Sequence, residues 1–131
     1  MREIKFRAWD KDLKRWTNYS IDDGLLMFYD EHADCWEIDR EGERFILCQF
    51  TGLKNINGKE IYEGDIVRAV GFLKWIGVAK YSDKNQAFVF EGIDKNYRGN
   101  IVFMSQFDQS FKILGNIYEN PELLEEVSND N

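Results

Sequence analysis

Four groupings of side chains have the types and spacing that chemistry requires. His32 and Cys35 stand three apart, and with Cys48 and either Asp30 or Asp34 they can be written as the ligand set of a zinc ion. Structural zinc sites usually present two close ligand pairs, and here there is one. Ordinary surface histidine and packed cysteine are the simpler reading, so no metal or other cofactor is expected. The same His and Cys can be written as a nucleophile and its base. A reactive thiolate needs electropositive surroundings, whereas Asp30, Glu31 and Asp34 raise the pKa of a thiol near them.

The third grouping is Glu60, Glu63 and Asp65, three carboxylates within six residues. Paired carboxylates can do acid–base or metal work. Glu63-Gly64-Asp65, however, falls where a turn is required, and Asp readily accepts backbone N–H bonds in turns. Asp65 is therefore expected to anchor a turn, with a carboxylate-based hydrolase as a distant third function. The fourth grouping interleaves aromatics with cations, from Phe72-Leu73-Lys74-Trp75 to Lys80-Tyr81. A face carrying Lys74, Trp75, Lys80 and Tyr81 can stack single-stranded bases. The alternative puts Trp75 in a core and the lysines outward, as strand alternation demands.

The elements that position these groups begin with a period-two alternation over Ile4–Trp9, which predicts a half-buried strand. After a polar connection at Asp10–Lys14, Arg15–Tyr19 can pair back. Asp22-Asp23-Gly24 is a turn, Leu25–Tyr29 an apolar strand, and Asp30–Asp34 an acidic stretch ahead of Cys35–Ile38. Arg40–Glu43 reads as a hairpin connection around Gly42, and Phe45–Phe50 as a strand. Thr51-Gly52 is expected to break that strand, and Asn57-Gly58 to form a tight turn, since both residues tolerate the left-handed region. Strands are then expected at Ile66–Val70, Lys74–Tyr81, Ala87–Glu91, Ile101–Met104 and Phe111–Tyr118. Such short strands without an intervening helix suggest a small closed or half-closed barrel. At the end, Asn120 can cap a helix with Pro121 at its first position and Leu123, Leu124 and Val127 on one side. Ser128 onward is read as a frayed tail.

The chain has 131 residues, 44% apolar and 15% aromatic, with a single proline. That is enough for one domain, or two very small ones, and too aromatic for disorder. No apolar run approaches the ~18 residues of a membrane span, and the N-terminus lacks a signal-peptide core. A soluble, cytoplasmic chain is expected, with Cys35 and Cys48 as free thiols packed like small apolar groups. The net charge of −7 is uneven: residues 21–43 carry nine acidic side chains against one basic. That balance opposes non-specific binding to a phosphate backbone, which needs a dense basic face.

Three segments carry a family resemblance: Arg2–Asp10 (REIKFRAWD), Gln49–Val67 (QFTGLKNINGKEIYEGDIV) and Leu114–Leu124 (LGNIYENPELL). Together they resemble the YopX proteins of bacteriophages and prophages. The resemblance implies a C-terminal part similar to SH3-type barrels, and it brings no catalytic residues to place on this chain. Gly52, Asn57, Gly58, Glu63, Gly64 and Asp65 lie in the middle segment, where each has a turn-forming role.

The expected architecture is mainly β: an N-terminal β section over 1–50, then an SH3-like barrel with a short C-terminal helix over 51–131. The expected function is that of a non-enzymatic phage accessory or regulatory protein. It would act by protein–protein contact, as a homo-oligomer or on a host or phage protein, and away from membranes. The acidic 21–43 segment is either a solvated loop or a mimic of a phosphate surface. The runner-up is a nucleic-acid-binding barrel, which the net charge disfavours.

Overall fold

A computed structural model describes residues 3–22, 25–30, 33–39, 43–71, 75–106 and 110–129. The strand pairs are antiparallel throughout, and one short helix closes the chain, so the mainly β class is as expected. The residues group into two compact units, Lys5–Gln49 on one hand, and Phe50–Asn131 with Met1–Ile4 on the other. Asp23, Gly24, His32, residues 40–42 and residues 72–74 lie outside the described residues, and with them much of the expected Asp22–Gly24 and Arg40–Glu43 turns.

The N-terminal unit starts with β1 (Phe6–Asp10), β2 (Arg15–Thr17), β3 (Tyr19–Asp22), β4 (Leu25–Asp30) and β5 (Cys35–Ile38). It ends within β6 (Phe45–Lys54), whose first half pairs with β1 from Phe6↔Gln49 to Asp10↔Phe45. β3, β4 and β5 form a separate meander. Most described residues of the acidic 21–43 segment, for which a solvated loop was one of two readings, are thus strand. The apolar run around Phe28 explains why: the ring is 4% exposed and lies flat on Phe45, with centroids 4.2 Å apart. Ala8 completes that small core, and Tyr19, Leu26 and Leu47 pack against it. On the other face of β1, Trp9 meets Trp16 edge-on at 5.0 Å, and the Arg7 guanidinium sits 3.9 Å over the Trp16 ring.

In the C-terminal unit, the second half of β6 pairs with β7 (Glu60–Tyr62) at Phe50↔Tyr62 and Lys54↔Glu60. Thr51-Gly52 does not end the strand. The register shifts between those two pairs, and Gly52 takes φ 92°, so the glycine supplies a bulge inside a continuing strand. Next come β8 (Asp65–Val70), β9 (Ile76–Ser82), β10 (Ala87–Gly92) and β11 (Ile101–Phe103). A 3-10 turn at Met104–Gln106 leads to β12 (Ser110–Asn116) and α1 (Glu122–Asn129). The curled sheet runs β11-β10-β9-β8-β12. Its core is aromatic: Trp75, Phe90 and Phe111 surround one another with centroids 4.8 to 6.5 Å apart, and Ile61, Val67, Ala69 and Ala79 fill in around them.

The helix departs from its expected ends. Asn120 does not turn its side chain to the helix: its Oδ1 accepts the Asn116 N–H at 3.2 Å, while its main-chain oxygen accepts the Leu123 N–H at 3.0 Å. The helix also continues through Ser128 to Asn129. Gly115 leaves room for this return, since a Cβ there would sit 3.0 Å from Leu123 Cδ1. Leu123 therefore packs on its own unit.

Polar side chains of the N-terminal unit converge on Arg44. Its Nε and Nη2 donate to both oxygens of Asp10, at 3.2 and 3.1 Å, and its Nη1 donates to Asp30 at 3.4 Å. Asp12 and Glu37 stand at 3.6 and 4.0 Å. Asp10 is 1% exposed, and its Oδ1 also receives the N–H groups of Asp12 and Leu13, which shapes the turn after β1. Burial pushes the Asp10 pKa up. The Arg44 hydrogen bonds, the two backbone N–H groups and the Arg44 charge outweigh it, so the carboxyl titrates below its ordinary value. A lowered folded-state pKa means that this contribution is present above the unfolded carboxylate pKa and is lost as pH falls through the folded one.

Arg44→Leu leaves a buried carboxylate unpaired and is expected to cost about 3 kcal/mol, read from urea denaturation followed by tryptophan fluorescence. In the parent chain the same experiment, stepped from neutral pH downward, should show stability falling below about pH 4. Arg44→Leu should flatten that limb, and an unaltered acid limb would show that the pair does not set it.

Candidate functional site

The motif from Gly52 to Asp65 builds two turns. Asn55 Oδ1 accepts the N–H groups of Asn57 and Lys59, both at 2.9 Å, and Gly58 closes the turn at φ 83°. Ile56 N–H donates to the Phe111 carbonyl of β12 at 3.1 Å, which fixes the turn to the sheet. The Glu63-Gly64 turn is tied more tightly. Gly64, at φ 91°, donates its N–H to Ala79 O at 2.7 Å and accepts the Ile117 N–H at 2.9 Å. Asp65 is 2% exposed, and its Oδ2 accepts the Tyr62 N–H at 2.9 Å across the turn. Glu60 accepts the Tyr62 hydroxyl at 3.2 Å.

The aromatic and cationic stretch is divided by the fold. Lys74 lies outside the described residues. Trp75 is 4% exposed and belongs to the core, so its ring faces Phe90 and Phe111 rather than a base. Lys80 and Tyr81 are neighbours on β9 and so point to opposite faces. Lys80 Nζ meets Glu91 at 3.0 Å. Tyr81 is 43% exposed and stands edge-on to Phe88, its register partner on β10, with centroids 5.3 Å apart.

Phe88 leads to a cleft that no single stretch of sequence announces. It encloses about 500 Å³, with Leu53, Ala87, Phe88 and Met104 as apolar walls, and Thr51 and Ser105 among its polar lining. Three elements bring these together: the bulge in β6, the start of β10 with Gln86 at φ 51°, and the 3-10 turn after β11. Thr51 Oγ1 is held by donating to Ile61 O at 2.7 Å and accepting the Leu53 N–H at 3.2 Å. Among the described residues, no side chain lining this cleft is ionisable. Glu63 and Asp65 are not among its walls. The cleft suits an apolar side chain flanked by hydrogen-bonding groups. Of its described lining, Thr51, Gly52 and Leu53 belong to the Gln49–Val67 segment singled out in the sequence.

The two cysteines have different surroundings. Cys48 is buried as expected, 1% exposed, whereas Cys35 is exposed, because β5 lies at the edge of its sheet. Some desolvation, followed by the charges of Glu37, Asp30 and Asp34, raises the Cys35 thiol above its ordinary pKa. Among the described residues no group of three His, Cys, Asp or Glu side chains is placed to hold a metal ion. Among the same residues no helix is long and apolar enough to cross a membrane.

The model of the family described as YopX protein matches residues 5–125. No curated protein matches the chain. The crystal structure of protein EF1440 from Enterococcus faecalis is similar, with a TM-score of 0.58 and 23% identity over 95% of this chain and 99% of that one. The crystal structure of protein yopX from Bacillus subtilis also has a TM-score of 0.58, with 19% identity over 94% of this chain and 98% of that one. At such identities the likeness speaks to the fold.

Asp65→Ala removes a buried acceptor and should cost about 1 to 2 kcal/mol. Asp65→Asn keeps an acceptor oxygen and should cost less. Gly64→Ala forces a side chain into the left-handed region and should cost more than about 1 kcal/mol. Thermal melts of the three chains check this, and an unchanged melting temperature in Asp65→Ala would remove the carboxylate from its anchoring role.

Proposed function

The chain belongs to the YopX protein family, and from that premise we propose that it is a phage-encoded accessory protein acting by contact with another protein rather than by catalysis. The observation that carries this reading is the cleft beside the β6 bulge. Its apolar walls, Leu53, Phe88 and Met104, and its polar Thr51 and Ser105 match what receives a side chain of a protein partner. Acid–base chemistry needs a titratable group within hydrogen-bond reach of its substrate, and the described residues of this lining offer none. Exposed Tyr81 extends the contact surface next to Phe88, and tyrosine is enriched in protein interfaces.

The C-terminal unit serves as the scaffold, a small SH3-like barrel. Support for this is the meander of β8 to β11, with β12 returning beside β8. The working setting is the bacterial cytoplasm, with a host or phage protein, or further copies of the chain, as partner. The burial of Trp75 counts against the nucleic-acid alternative, because the ring best suited to stack a base is occupied in the core.

A tagged full-length chain, expressed in the bacterial host and recovered with and without nuclease, tests this. One stoichiometric protein should remain after nuclease, and Ser105→Arg, an exposed change at the cleft, should reduce its recovery at unchanged melting temperature. Recovery that disappears with nuclease would favour the nucleic-acid reading, and undiminished recovery with Ser105→Arg would move the contact away from the cleft.

A further inference from the structure

We infer that the outer edge of β5 is a docking site for an extended basic segment of a partner protein, which joins the β3-β4-β5 sheet as an added strand. The inference rests on the protein-contact reading above and gives a contact its own place and chemistry. β5 ends its sheet: β4 lies on one side, and no described strand lies on the other. Cys35, Trp36 and Glu37 are all exposed, and Trp36 keeps 43% of its surface. An open edge presents a row of main-chain donors and acceptors, which folded proteins commonly blunt with proline, lysine, a bulge or a covering element. β5 reads Cys-Trp-Glu-Ile, and its register on β4 is unbroken from Met27↔Ile38 to Asp30↔Cys35.

The side chains specify what such a strand must carry. Alternation places Trp36 and Ile38 on one face and Cys35 and Glu37 on the other, so four residues offer a partner two positions per face. On the first face the Tyr29 ring lies 5.4 Å from Trp36, an aromatic pair ready to take an aliphatic or aromatic neighbour. On the second, Glu37 lies 4.0 Å from Arg44, a cation already held by Asp10 and Asp30. Asp34 and Asp39 flank the strand, within a segment of nine acidic residues and one basic. The complement is a strand in which lysine or arginine alternates with apolar residues, bound through its main chain and selected by charge. A second copy of this chain would bring the same acidic segment, and a nucleic acid would bring the same sign of charge.

The test uses the full chain and a fluorescein-labelled peptide with blocked ends in which lysine and valine alternate. Anisotropy should show saturable binding, weaker by roughly tenfold at physiological than at low salt. Amide hydrogen exchange at Cys35–Ile38 should slow on saturation. Trp36→Thr and Glu37→Lys, both at exposed positions, should each weaken binding, with Glu37→Gln, which sets no cation beside Arg44, intermediate and at unchanged melting temperature. Equal binding of a glutamate–valine peptide, or indifference to all three substitutions, would overturn the inference. So would a concentration-dependent dimer in sedimentation that Glu37→Lys abolishes, since the edge would then belong to a second copy. If Trp36→Thr and Glu37→Lys chains retain in full the nuclease-resistant partner recovered from cells and bind the peptide normally, the edge site fails and the protein-contact reading stands. If no such partner is recovered from cells, that reading fails by itself.

Discussion

One guanidinium holds together the polar side of the N-terminal unit. Arg44 stands at the start of β6, directly after the most acidic part of the sequence, and closes a fork on both oxygens of Asp10. A planar, permanently charged group suits that geometry in a way that a lysine would not. The pair joins the end of β1 to the beginning of β6, two strands already in register at Asp10↔Phe45. Beneath it the Phe28 and Phe45 rings lie flat on one another, and the Arg44 guanidinium sits 4.9 Å from the Phe45 ring. Asp39 contributes from the other side by accepting the N–H groups of Arg44 and Phe45. The acidic segment is compatible with a folded sheet because Asp30 and Glu37 have this centre to face and Asp39 accepts main-chain N–H groups beside it.

The C-terminal unit solves a different problem, how to join many short strands without loose connections. At the corners among its described residues, polar side chains and glycines do this work. Asn55, Asp65 and Asn116 each accept backbone N–H groups through a side-chain oxygen, and Gly58 and Gly64 take the positive φ that the turns need. Asn116 Oδ1 receives the N–H groups of Tyr118 and Glu119 and so redirects the chain from β12 toward α1. Of the carboxylates that acid–base work could draw on, Asp65 is committed to the backbone and Glu60 accepts the Tyr62 hydroxyl.

Much of this was legible in the sequence where the cue was local. Period-two alternation located β1, the apolar run located β4, and Asn57-Gly58 and Glu63-Gly64-Asp65 marked turns that formed where expected. The errors arose where a local cue has two meanings. Gly52 signals a break or a bulge, and only pairing on both sides of it with β7 decides for the bulge. Asn120 signals a cap, but its side chain reaches Asn116 first, because the turn after β12 brings the two within 3.2 Å. The cleft was not legible, since Leu53, Phe88 and Met104 meet only through strand order. Arg44 is hidden for a similar reason: an arginine following an acidic stretch looks like charge balance until Asp10, 34 residues earlier, is placed across from it.

The contrast between the two cysteines has a practical meaning. One thiol is at the surface of an edge strand and the other is closed off in the interior of the chain. Partial desolvation and then the nearby carboxylates raise the pKa of the outer thiol, which slows its oxidation and its alkylation. Raising the pH frees it while the inner one stays shielded. The unmodified chain thus carries a single exposed thiol, and an environment-sensitive dye attached there would report directly on what approaches the β5 edge, without any engineered residue.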